Sequence, residues 1–126
     1  MSARDVSRKP SVLVVEDEFL IRMGIVDTIQ HAGFEIFEAS NADEAILLLE
    51  AHPDIAVLFT DIDMPGSMDG LKLAAAVRRR WPPVKIIVTS GHVKMRQEDL
   101  PFDGLFFPKP YDHDIILSTL RELSAG

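Results

Sequence analysis

The chain has 126 residues, of which 47% are hydrophobic and 26% charged, and this length fits one domain with a sizeable core. A formal net charge of −7 disfavours nucleic acid as the main partner, because clustered Lys and Arg bind phosphate backbones. There is no cysteine, no apolar run near the ~20 residues of a membrane span and no signal-peptide core, so we expect a cytoplasmic protein without disulfides.

After a polar tail over residues 1–10, short apolar runs typical of buried strands alternate with stretches whose apolar residues recur at helical spacing. In chain order, the predicted elements are a strand at 11–15, a helix at 19–32, a strand at 34–39, a helix at 41–50, a strand at 55–60, a helix at 70–80, a strand at 84–89, a short helix at 94–100, a strand at 104–107 and a helix at 114–123.

The predicted helix ends follow from individual residues. Gly33 suits the end of the first helix, and Asn41 and Glu44 have the spacing of a capping box at the start of the second. Pro82 ends the third helix, because the residue before a proline is pushed out of the helical region. Asp112 can cap the last helix.

Five strands that alternate with helices pair in parallel through right-handed crossovers. The sequence therefore predicts a three-layer α/β domain over residues 11–126, a doubly wound (βα)5 parallel sheet with helices on both faces. Pro108 closes the fifth strand, which fits an edge position because proline lacks the donor that a central strand needs.

The predicted strands end in polar residues at four places: Glu16 and Asp17 after the first, Asp61 after the third, Thr89 at the end of the fourth and Lys109 after the fifth. Because the carboxyl ends of parallel strands lie along one edge of a sheet, we expect these side chains to converge. Carboxylates this close repel each other unless they share a cation. An oxygen-only set suits Mg²⁺.

This set has the groups that phosphoryl transfer needs, which are chiefly placement and charge neutralisation. Asp61 is the predicted nucleophile and forms an aspartyl phosphate. Lys109 supplies a positive charge and Thr89 a hydroxyl donor to the phosphoryl oxygens.

Each residue also has a plainer interpretation when it is taken alone. The acids at 16–18 suit the first turn of a helix, Thr89 suits a turn, and Lys109 suits a solvated position between two prolines. Their joint occurrence, each directly after an apolar strand, favours the site.

From about residue 12 to residue 123 the sequence resembles a response regulator receiver domain. The residues that carry the resemblance are VVEDE at 14–18, DIDMP at 61–65, MDG at 68–70, VTS at 88–90 and KPY at 109–111. The resemblance implies a flavodoxin-like sheet with strand order 2-1-3-4-5 and Asp61 as the phosphoacceptor.

The resemblance also implies the details of the site. Asp17 binds Mg²⁺ directly, Glu16 acts largely through water, and the backbone carbonyl of Asp63 completes the protein ligands together with Asp61. A cis peptide before Pro110 directs Lys109 into the site.

A switch is implied as well, in which phosphorylation draws Thr89 inward and Phe106 follows, changing the face formed by the fourth helix, fifth strand and fifth helix. Plain edge-strand packing is the alternative for Phe106, which lacks the hydroxyl of tyrosine.

Three features depart from the family's common pattern. Gly66 and Ser67 lengthen the loop after Pro65 by one residue, and Pro101 shortens the fourth helix. The side chain of Asp63 adds a negative charge beside the site, so the lifetime of the phosphoryl group is left open.

We therefore expect a stand-alone receiver that takes a phosphoryl group from a phosphohistidine on a histidine kinase or phosphotransfer domain and then changes its affinity for a protein partner. It is expected to be no enzyme beyond its own phosphorylation and dephosphorylation, and to bind no membrane. Whether phosphorylation produces a homodimer is left open. Two alternatives are a small phosphohydrolase of the haloacid dehalogenase type, which uses an Asp-x-Asp nucleophile, and a receiver fold that acts without phosphorylation.

Overall fold

The computed structural model describes residues 9–64, 69–91 and 95–125. Its strands are Ser11–Val15 (β1), Glu35–Ala39 (β2), Val57–Asp61 (β3), Lys85–Ser90 (β4) and Leu105–Pro108 (β5). Its helices are Phe19–His31 (α1), Ala42–Ala51 (α2), Gly70–Arg80 (α3) and His113–Ala125 (α4). Each predicted strand is present, with ends within two residues of the prediction.

The five strands form one parallel sheet in the order β2-β1-β3-β4-β5, which confirms the fold expected from the resemblance. β5 lies at an edge, as Pro108 predicts. In the register of β3 with β4, Asp61 lies beside Thr89 at the carboxyl ends of both strands. The sheet therefore brings two of the predicted site residues into adjacent positions.

The core consists of two clusters, one on each face of the sheet, because successive strand residues point to opposite faces. Leu13, Leu58 and Ile86 pack on the face that α2 and α3 cover. Val14, Phe59 and Ile87 pack on the face that α1 and α4 cover. Burial on both faces explains why the central strands are continuous apolar runs rather than alternating ones.

The helix ends agree with the predicted signals, apart from one hydrogen bond of the capping box. Gly33 follows α1 with a φ of 97°, a conformation that glycine adopts without strain. Asn41 caps α2 by accepting a hydrogen bond from the Glu44 N–H at 2.9 Å. In a full capping box the Glu44 carboxylate would accept from the Asn41 N–H. Here it reaches one residue further back and accepts from the N–H and the hydroxyl of Ser40.

Within the described part of the predicted fourth helix, residues 95–100, the structure has a 3₁₀ turn, Gln97–Asp99, in place of an α-helix. Pro101 prevents extension of the helix. The Gln97 side chain bonds to the backbone at the start of β5. Its amide nitrogen donates to the Gly104 carbonyl at 2.7 Å, and its amide oxygen accepts from the Phe106 N–H at 2.9 Å. The last helix is therefore α4, and Asp112 precedes it with a carboxylate that accepts from the Asp114 N–H.

Some predictions lie outside the described residues, namely most of the tail at 1–10, the lengthened loop at Gly66 and Ser67, and the start of the predicted fourth helix. The division into a tail and a domain over 11–126 stays a prediction. Among the described helices, none has both the length and the apolar composition needed to cross a membrane.

Candidate functional site

The site lies at the carboxyl ends of β1, β3, β4 and β5. Asp61 is the last residue of β3 and is 3% exposed. The chain after it is fixed by the sheet, because the Ile62 N–H donates to the Thr89 carbonyl at 2.8 Å. The Asp61 carboxylate is therefore held at the end of a rigid strand, and one of its oxygens, Oδ1, accepts from the Asp63 N–H at 3.0 Å.

Lys109 enters the site from β5, as the resemblance implies. The Lys109–Pro110 peptide is cis, and the Lys109 N–H donates to the Ser90 carbonyl at 2.9 Å. Its Nζ lies 2.9 Å from Asp61 Oδ2 and 3.0 Å from Glu16 Oε1. Burial alone lowers the pKa of Lys109, but hydrogen bonds with the two carboxylates outweigh it, and the pKa lies well above its usual value. Lys109 is therefore a permanent cation.

Glu16 is the second buried acid of the site. Its Oε2 accepts from the Glu18 N–H at 3.1 Å, so the carboxylate is fixed on one side by the start of α1 and on the other by Lys109. Burial raises the pKa of Glu16 to about 7, and the nearby charge of Asp61 adds to this; the hydrogen bonds from Glu18 and Lys109 act against it. Three carboxyl groups, those of Glu16, Asp17 and Asp61, thus lie around the single ammonium of Lys109.

Asp17 completes a donor set that fits a divalent cation. One carboxylate oxygen each of Glu16, Asp17 and Asp61 lies within 4.8 Å of the other two. Glu16 and Asp61 are buried, whereas Asp17 is exposed beside a cavity of about 300 Å³ that Asp63 and Lys109 also line. Hard oxygen ligands beside an open cavity suit Mg²⁺, which keeps several waters and takes one or two carboxylates.

The Asp63 side chain is directed to β4. Its Oδ2 accepts from the Ser90 hydroxyl at 2.8 Å and from the Gly91 N–H at 3.3 Å. The Asp63 carboxylate, whose negative charge we expect beside the site, is thus held by hydrogen bonds at the end of β4. The metal-binding role of the Asp63 carbonyl stays a prediction.

Thr89 and Phe106, the predicted switch residues, occupy neighbouring strands. The Thr89 side chain is 1% exposed, and its hydroxyl has no hydrogen-bond partner in the described part of the chain. Phe106 pairs in register with Val88 and packs with Met95 and Phe102 against the α2–α3 side of the core. A buried hydroxyl that no described residue satisfies is costly, so Thr89 has a donor available for an oxygen atom at this site. The switching role of both residues stays a prediction.

Two residues shape this site through contacts that the sequence does not predict. The Arg22 guanidinium on α1 donates through Nη1 to the Glu16 carbonyl at 2.6 Å. Gly70, the first residue of α3, lies against the backbone of Asp61 and Ile62 so closely that a Cβ would clash. Neither contact has a local sequence signal, because both join residues that the fold brings together.

Comparison with known proteins identifies the family of this chain. A family model of the response regulator receiver domain matches residues 12–121. The sequence is 34% identical over 125 residues to the sensor kinase CckA of Brucella abortus, covering 96% of this chain and 13% of that protein. It is 27% identical over 115 residues to sporulation initiation phosphotransferase F of Bacillus subtilis, covering 88% of this chain and 90% of that protein.

Among solved structures, a response regulator receiver protein from Sinorhizobium medicae superimposes with a TM-score of 0.85 at 23% identity, covering 94% of this chain and 97% of that one. This likeness supports the fold. Against the full length of several other relatives, such as the NtrX-like response regulators of Rickettsia, the chain spans about a quarter.

Proposed function

Because this chain belongs to the response regulator receiver domain family and is a receiver of two-component signalling, we propose that Asp61 is its phosphoacceptor and that the donor is a phosphohistidine. The observation that carries the proposal is the contact of the Lys109 Nζ with both Asp61 and Glu16, which gathers residues from three strand ends around one carboxylate. Such placement and charge balance are what phosphoryl transfer requires of a protein.

In the proposed reaction, an Asp61 carboxylate oxygen attacks the phosphorus of the phosphohistidine. The new P–O bond forms as the P–N bond breaks, and the bonding electron pair stays on the imidazole nitrogen. Lys109 offsets the negative charge on the transferred group, and the Thr89 hydroxyl, which has no partner among the described residues, donates to one of its oxygens.

The metal site is part of the same proposal. Glu16, Asp17 and Asp61 would hold the ion together with the Asp63 carbonyl, Asp17 directly and Glu16 largely through water. Bound Mg²⁺ would supply positive charge that Lys109 alone does not provide between the acids and the incoming phosphoryl group. The donor set supports this assignment, because oxygen ligands alone are what Mg²⁺ selects.

The surface around the site suits a protein donor. Phe19, Leu20 and Met23 on α1 are large exposed apolar residues, and an apolar cavity of about 560 Å³ lies between α1 and the turn after β5. Exposed apolar patches commonly mark protein interfaces. We propose that a histidine kinase or phosphotransfer domain docks here in the cytoplasm, and that a second protein or another copy of the chain reads the Phe106 face.

The test is phosphorylation by acetyl phosphate with Mg²⁺, followed by intact-protein mass spectrometry. We expect one phosphoryl group per chain, stable in acid and labile in base, and none on the Asp61→Asn variant. Asp103→Asn removes an exposed carboxylate outside the site and should be labelled normally. Labelling that persists in Asp61→Asn would show that the nucleophile is another residue.

The same preparation tests whether the chain is an enzyme toward other substrates. We propose that it turns over only its own acyl phosphate. Sustained hydrolysis of p-nitrophenyl phosphate that depends on Asp61 would instead support a phosphohydrolase of the haloacid dehalogenase type.

A further inference from the structure

Arg22 links the acidic loop of the site to two other elements. The Cα–Cβ bonds of a helix tilt toward its N-terminus, so the Arg22 side chain extends back over the start of α1. Its Nη1 donates to the Glu16 carbonyl at 2.6 Å, and its Nε lies 3.3 Å from Glu38 Oε1 on β2. The side chain is 16% exposed, and its guanidinium lies 5.7 Å from the Phe19 ring centre.

The contact with the Glu16 carbonyl fixes a particular peptide plane. The peptide bond that begins at this carbonyl ends at the nitrogen of Asp17, and its six atoms are coplanar. Holding the carbonyl therefore sets the direction in which the chain enters Asp17. Within the described residues the Asp17 carboxylate has no hydrogen bond or ion pair, so the backbone, which sets the direction of its Cα–Cβ bond, limits where the carboxylate can reach.

We propose that Arg22 is a positioning residue for divalent-cation binding, which it serves by locking the Glu16–Asp17 peptide so that the Asp17 carboxylate faces Asp61. This inference rests on the proposed metal site. Several hydrogen bonds hold Glu16: Glu18 and Lys109 fix its carboxylate, its N–H donates to the Ala39 carbonyl at 3.1 Å, and Arg22 fixes its carbonyl. Of these, the Arg22 bond acts directly on the peptide that leads into Asp17.

The sign of the effect separates positioning from simple electrostatics. Arg22 is a cation beside a cation site, so its charge alone weakens Mg²⁺ binding, and its removal should strengthen binding. If Arg22 positions Asp17, its removal should weaken binding despite the lost repulsion. Residues that orient metal ligands typically contribute about 10- to 100-fold in affinity, which exceeds the effect of one partly screened charge.

The experiment measures the Mg²⁺ dissociation constant by calorimetry for the wild type, Arg22→Ala, Arg22→Lys and Arg80→Ala. Arg80 is a matched control, because it also pairs with a glutamate, Glu50 at 2.8 Å, and lies over an aromatic ring, Trp81 at 4.3 Å, yet contacts no site residue. All variants are compared where circular dichroism shows them folded. A second measurement follows the amide ¹⁵N shift of Asp17, whose N–H shares the peptide plane with the Glu16 carbonyl.

We expect Arg22→Ala to raise the dissociation constant about tenfold. Arg22→Lys keeps the charge but lacks the planar fork, so it should fall between Arg22→Ala and the wild type. Arg80→Ala should bind as the wild type does, and the Asp17 shift should change only in the Arg22 variants. Unchanged or tighter binding by Arg22→Ala would overturn this inference and leave the proposed function standing. Absence of Mg²⁺ binding by the wild type would overturn the metal site itself, and the inference with it.

Discussion

Replacing Gly70 by alanine tests how closely α3 approaches the phosphoacceptor strand. A Cβ built on Gly70 clashes with the Asp61 carbonyl oxygen and lies 2.7 Å from both the Asp61 carbonyl carbon and the Ile62 Cα. All three atoms belong to the backbone, so no side-chain rotation relieves the contact. Relief requires α3 to move away from β3, which strains the hydrogen bond from the Gly70 N–H to the Ile62 carbonyl, now 3.1 Å long.

The expected cost follows from these contacts. Overpacking against a rigid neighbour costs about 1–3 kcal/mol, and a weakened backbone hydrogen bond about 1 kcal/mol more. The better helix propensity of alanine offsets up to about 1 kcal/mol of this loss in the free energy of unfolding. We therefore expect Gly70→Ala to lower the free energy of unfolding by about 1–4 kcal/mol.

Gly24 on α1 is the matched control, because a Cβ there meets no atom within 4 Å. Gly24→Ala should raise the free energy of unfolding by about 0.5–1 kcal/mol through helix propensity alone. Urea denaturation followed by circular dichroism measures both variants, with equal m values as the sign of unchanged two-state unfolding. A Gly70→Ala variant as stable as the wild type would show that α3 does not approach the Asp61 backbone as closely as described.

Three further predictions concern single groups. Burial, the charge of Glu16 and that of Asp61 raise the pKa of Tyr111 to about 12, so its phenol, the chain's one tyrosine, should ionise well above pH 10 when followed at 295 nm. Because the folded-state pKa is raised, the stability contributed by the neutral phenol is complete below pH 10 and is lost as the pH rises toward 12; ionisation near pH 10 in the folded protein would contradict this. Thr89→Val should raise the free energy of unfolding by about 1 kcal/mol, because it removes a buried hydroxyl that has no partner in the described ranges, and a loss of stability in urea would refute that reasoning. Hydrogen bonds from the Ser40 N–H and hydroxyl lower the pKa of Glu44, so the advantage of the wild type over Glu44→Gln should hold above pH 4.5 and disappear as the pH falls below it, as acid titration of unfolding would measure.

The fold and the centre of the site follow from sequence because both depend on local patterns and one general rule. Apolar runs locate the strands, alternation with helices makes the sheet parallel, and parallel strands place their carboxyl ends together. That rule is enough to bring Asp61 beside Thr89 and Lys109, which lie 28 and 48 residues further along the chain.

The contacts that the sequence does not predict are tertiary ones. In the sequence, Arg22 does not differ from other charged residues of a helix. Its hydrogen bond to the Glu16 carbonyl is visible only in the folded structure. The same limit explains the 3₁₀ turn: Pro101 indicates a short helix, but only the structure shows that Gln97 bonds to β5 instead of facing solvent. Asp63 is a third case, because the hydrogen bond that its carboxylate accepts from the Ser90 hydroxyl joins the loop after β3 to the end of β4, a contact for which the sequence has no local signal.

The two hydrogen bonds of Gln97 have a consequence for the association of this protein with other chains. In a parallel ladder, a residue on the adjoining strand donates to the carbonyl before its partner and accepts from the N–H after it. The Gln97 carboxamide does both around Leu105, through Gly104 and Phe106, so one side chain imitates a single residue of a sixth strand. An uncovered sheet margin is a template for intermolecular pairing, and this imitation occupies the outward donor of Phe106. Gln97 thereby hinders edge-to-edge pairing of two chains along β5, the strand that carries Phe106.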